Sequence, residues 1–100
     1  MVDDRFKPSS IDTGRTLGWK LLLESAKVAT EKGEFEQAEK LYERALDSAQ
    51  KRLGEKDIVV AHIIMEMAEF HLNAHSHEKA YECYLKVRQI LAERAEKQDP

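Results

Sequence analysis

The sequence predicts an all-α protein in which four main helices pair as two antiparallel helical hairpins. Three observations predict it. No proline falls between Pro8 and Pro100, so nothing in that span interrupts a long helix. Apolar residues recur at helical spacing in four stretches bounded by helix-stopping or helix-starting residues. The chain also repeats itself when shifted by 42 residues.

The first helix is expected from about Leu17 to Lys32, where Gly33 offers the left-handed stop that helices favour. The second runs from Phe35 to Leu53 and stops at Gly54. Glu34 and Glu36 suit its positive start, and Glu36–Lys40 and Asp47–Lys51 are supportive pairs one turn apart. Asp57 is the expected cap of the third helix, which reaches about Ala74. Ser76 is the expected cap of the fourth, which fades near Lys97. The links inside each pair are two or three residues long, which makes sequential helices antiparallel neighbours. The third helix is apolar on nearly every side, from Val59 and Val60 through Ile63, Ile64 and Met67 to Phe70, so it must be covered on several faces. Residues 1–16 have no clear period and hold Pro8 and Gly14; they are expected to form a flexible arm ahead of a helical domain spanning 17–97.

At the 42-residue shift, Ala26 matches Ala68, Ala38 matches Ala80 and Tyr42 matches Tyr84. Glu24, Glu36 and Arg52 fall over Glu66, Glu78 and Arg94, while Phe35 falls over His77. Small residues let two helices approach, and a tyrosine four positions after the second alanine is expected to fill the space beside the contact. This pattern resembles the tetratricopeptide repeat. The first unit, 19–53, carries Ala26, Gly33, Phe35, Ala38, Tyr42 and Ala45-Leu46 at the signature spacings. The second unit, 61–95, keeps Ala68, Ala80 and Tyr84, but His75 stands for the turn glycine and Val87 for the last small residue. The long period resembles the repeats of kinesin light chains. The resemblance implies a right-handed stack of the two hairpins.

It also implies a concave groove lined by the first helix of each hairpin. By register the groove positions are Lys20, Leu23, Lys27, Thr30 and Glu31 from one unit and His62, Met65, Glu69, Leu72 and Asn73 from the other. Leu23, Met65 and Leu72 would give it an apolar floor, suited to a peptide or partner helix with apolar anchors. The Lys and Asn pattern that clamps a C-terminal carboxylate in some family members is absent, and Glu24 and Glu66 replace the asparagines of kinesin light chain grooves.

Composition narrows the function classes. Apolar residues make up 42% and charged residues 35%, enough for one core wrapped in wide polar faces. The net charge is −3 and no basic run occurs, which argues against nucleic acid as a partner. The most apolar stretch, from Ile58 to Met65, is too short for a membrane span. A lone cysteine, Cys83, allows no internal disulfide, and no signal core opens the chain, so a reduced, cytoplasmic setting is expected.

No nucleophile elbow, phosphate loop or spaced carboxylate pair appears, so neither catalysis nor a cofactor is expected. His71, His75 and His77 lie close in sequence, but Leu72 stands where a zinc-protease signature needs glutamate, and no metal is predicted. Trp19 is expected to seal the N-terminal end of the stack, and Cys83 to act as a small apolar filler. The expected function is a protein-binding adaptor. The alternative is self-association: Tyr81, Leu85 and Ala92 lie off the main apolar stripe of the fourth helix. Left bare they would form an apolar patch, which a homodimer or the arm through Phe6 and Ile11 would cover.

Overall fold

A computed structural model describes residues 18–98, which hold helix and turn only. Helix α1 covers residues 18–31 as described, α2 is Phe35–Leu53, α3 is Ile58–Asn73 and α4 is His77–Gln98. They form two antiparallel hairpins, α1 with α2 and α3 with α4, joined by a weaker packing of α2 on α3. The arm expected over 1–16 lies outside the described residues.

The helix ends follow from local chemistry. Asp57 caps α3: its side chain accepts from the Val59 backbone N–H at 2.8 Å. Glu34 precedes α2 without a side-chain capping bond. Of the two expected pairs on α2, Lys51 reaches Asp47 at 3.1 Å, while Glu36 and Lys40 stay beyond ion-pair distance.

The internal repeat is written in the backbone. At the first hairpin turn, Gly33 N–H donates to Thr30 and Glu34 N–H donates to Ala29. At the second, His75 N–H donates to Leu72 and Ser76 N–H to His71, the same pair of bonds shifted by 42 residues. Both are Schellman closures, in which the last carbonyls of the helix are satisfied by the turn that ends it. The residue that makes the turn is left-handed in each, with φ of 80° at Gly33 and 62° at His75.

The core runs along the four helices. Ala26, Ala38, Ala45, Ala49 and Ala68 are wholly buried, the small residues that let helix axes close up. Val60, Ile63 and Ile64 of α3 are the largest fully buried side chains, as expected for the helix covered on several faces. Burying each contributes about 1.5–3 kcal/mol. Phe70 locks the hairpins together, its ring centroid 5.3 Å from Tyr42 and 6.0 Å from Phe35, both on α2. The 54–57 loop is tied to α4 by Lys56 and Glu93 at 2.7 Å and by Arg94 donating to the Lys56 carbonyl at 3.0 Å.

The two tyrosines expected to do the same job do not. Tyr42 is 4% exposed and Tyr84 is 40% exposed. The contact that buries Tyr42 comes from the following hairpin, through Phe70, and no described helix occupies that place beside Tyr84.

Candidate functional site

A concave surface runs along α1 and α3, the first helices of the two hairpins. Residues at spacings of three and four on each helix share this face: Lys20, Leu23, Glu24, Lys27, Thr30 and Glu31 on α1, and His62, Met65, Glu66, Glu69 and Asn73 on α3. It comprises two adjoining cavities that share Lys27, His62 and Glu66. One, of about 420 Å³, holds Thr30, Glu31, Met65, Glu69 and Asn73 around a floor of Tyr42 and Phe70. The other, of about 380 Å³, is lined by Trp19, Lys20, Leu23, Glu24, Ile58 and Val59.

Nine of the ten expected groove positions thus lie together. Leu72 is the exception. It is exposed and lines neither cavity. Of the expected floor residues, Leu23 lines one cavity and Met65 the other, and the buried Tyr42 and Phe70 add to the floor beside Met65. The register placed only first-helix residues in the groove and so missed Tyr42, a second-helix side chain that reaches through. Glu24 and Glu66, which the resemblance sets in the groove in place of asparagines, line it as well.

Glu66 is the electrostatic centre. Its Oε2 lies 2.7 Å from His62 Nε2, and its Oε1 stands 3.5 Å from Lys27 Nζ. That oxygen is buried and has no hydrogen-bond partner. Thr30 Oγ1 donates to the Ala26 carbonyl at 2.9 Å. Burial first, then the Glu66 carboxylate, pushes the Tyr42 hydroxyl above its ordinary value, so it stays protonated at the cavity floor. Trp19 packs against the core at the N-terminal end, with Lys20 Nζ 5.4 Å from its ring centroid.

The remaining singled-out residues lie elsewhere. His71 is buried with its ring against Phe70, while the His75 and His77 rings are 6.4 Å apart at the turn. Among the described residues no three His, Cys, Asp or Glu side chains are arranged to hold a metal ion. Cys83 is half-buried against the core, and burial pushes its thiol above the ordinary value. Tyr81, Leu85 and Ala92 are exposed on α4, joined by Tyr84 and Leu91. Among the described residues no helix is long and apolar enough to cross a membrane. Compared with known proteins, the chain matches no family model, and no curated protein or solved structure is significantly similar to it.

Proposed function

We propose that this chain is a non-catalytic interaction module of the tetratricopeptide kind, an adaptor that holds a peptide or partner helix in the groove between α1 and α3. The observation that carries this reading is the continuous concave surface itself, two cavities joined through Lys27, His62 and Glu66 and floored by aromatic side chains. A concave, partly apolar surface with a few placed polar groups is what peptide recognition requires. The repeated Schellman closures at a 42-residue interval support the repeat assignment. A cytoplasmic setting accompanies this reading, since the single cysteine needs no oxidising compartment.

The test is selection of a random twelve-residue peptide display library on the protein, repeated on Met65→Trp. Met65 is exposed and lines the larger cavity, so tryptophan there fills the groove without disturbing the core. Enriched peptides should bind the native chain and lose at least about tenfold in affinity to the filled variant, the loss of one good anchor contact. Peptides indifferent to Met65→Trp would place binding elsewhere.

A second reading, self-association through α4, is favoured by a specific observation. Tyr81, Tyr84, Leu85 and Leu91 form an exposed apolar stripe on one side of that helix.

A further inference from the structure

We propose that the groove selects a basic peptide, one that presents an apolar side chain and, about 12 Å further along, a lysine or arginine. The inference rests on the groove reading above and names the chemistry of its ligand.

The two ends of the groove are chemically unlike. Trp19, Leu23, Ile58 and Val59 make one end largely apolar, a seat for an aliphatic or aromatic anchor. The other end carries Glu31 and Glu69, and neither has a cation within ion-pair distance among the described residues. The nearest ammonium in that cavity, Lys27, is already turned to Glu66 at 3.5 Å. Lys20 stands at the opposite end beside the Trp19 ring. Four carboxylates line the groove, from Glu24, Glu31, Glu66 and Glu69, against two ammonium groups, from Lys20 and Lys27. The excess negative charge therefore gathers at the Glu31 and Glu69 end.

Glu66 adds an acceptor that is only loosely held. Its Oε1 is buried with the Lys27 ammonium at 3.5 Å and no hydrogen bond, which a ligand guanidinium displacing Lys27 would supply. Groove walls of low dielectric strengthen such contacts relative to an open surface. The spacing follows from the helix. Leu23 and Glu31 lie two turns apart on α1, about 12 Å at 1.5 Å per residue. That distance corresponds to roughly four residues of extended peptide.

The experiment reads the composition of the selected library and then the affinity of its consensus peptide by fluorescence anisotropy. The pool should be enriched in Lys and Arg over Asp and Glu. The consensus peptide should weaken by about tenfold when its basic residue becomes glutamate, or when the protein carries Glu31→Lys with Glu69→Lys. The difference should shrink in about 0.5 M salt, where exposed charges are screened. Glu31 and Glu69 are exposed, so the double variant keeps the core, and Glu31→Gln with Glu69→Gln repeats the test with smaller changes. A pool of acidic or uncharged peptides that still loses binding to Met65→Trp would overturn the charge inference and leave the groove standing. Peptides indifferent to Met65→Trp, or no enrichment at all, would overturn both.

Discussion

His71 is buried in α3 with its ring centroid 5.1 Å from that of Phe70, and burial holds its pKa below the ordinary value of 6.5. The charges around it pull both ways: Glu39 and Glu43 from α2 and Glu82 from α4 favour the protonated ring, and Lys79 opposes it. The direction is still set by desolvation, so the unfolded chain takes up a proton at pH values where the folded chain does not. Stability from this residue is therefore complete above about 6.5 and declines as the pH falls from there through the lower folded value. His71→Phe removes that titration while keeping a ring against Phe70. Urea unfolding across the range from pH 7 to 5 should fall less steeply for the variant than for the native chain. Equal slopes would mean that His71 takes up its proton in the folded state. At the 42-residue shift His71 falls over Ala29, which is also buried. The depth of its burial was beyond local pattern, since it depends on how Phe70 is wedged between the hairpins.

At the scale of the helices, most of the architecture was legible because the punctuation is chemical. Gly33, Gly54 and Asp57 end or begin helices for reasons of backbone conformation and capping, and the observed bounds of α2 coincide with the expected ones. The second turn is more informative, because it holds the same left-handed conformation without the glycine that favours it. His75 sits at φ 62°, where a Cβ costs about 1–2 kcal/mol that glycine avoids. Part of that gain is offset by the greater freedom of glycine in the unfolded chain. His75→Gly should therefore raise stability by about 0.5–1 kcal/mol, a rise of several degrees in Tm for a domain of this size. Gly33→Ala should lower it by about 1 kcal/mol or more, since the first turn has the conformation and the right residue already. Thermal melts of the two variants against the native chain check both signs. A loss on His75→Gly would mean that the imidazole contact with His77 outweighs the backbone strain. What sequence could not resolve at this scale was side-chain pairing on open surfaces: Asp47 and Lys51 meet, whereas Glu36 and Lys40 do not, although both have the same spacing.

For the molecule as a whole, the two tyrosines one repeat apart frame the question of what covers α4. Tyr42 and Ala49 are buried on α2, whereas their counterparts Tyr84 and Leu91 are 40% and 44% exposed on α4. Tyr81, at 64%, and Leu85 extend the patch along the same side. Tyr81, Leu85 and Ala92 were legible as residues off the main stripe. Tyr84 was not, because its periodicity matches Tyr42 and only the neighbouring hairpin makes one buried and the other bare. A patch of this kind favours association of two chains. Light scattering after size exclusion should show the mass rising from 11.5 kDa towards twice that value as concentration rises from micromolar to millimolar. Leu85→Glu with Leu91→Glu should hold the chain at the monomer mass, because burying two carboxylates at a contact is costly. A monomer at every concentration would remove self-association and leave the groove reading alone. The stripe shares no residue with either cavity of the groove, so the two surfaces can be separated. The α4 variant should abolish the dimer while selected peptides bind each chain as before, and Met65→Trp should do the reverse. If both hold, the dimer presents two grooves together, and a ligand with two basic segments would bind it more tightly than either segment alone.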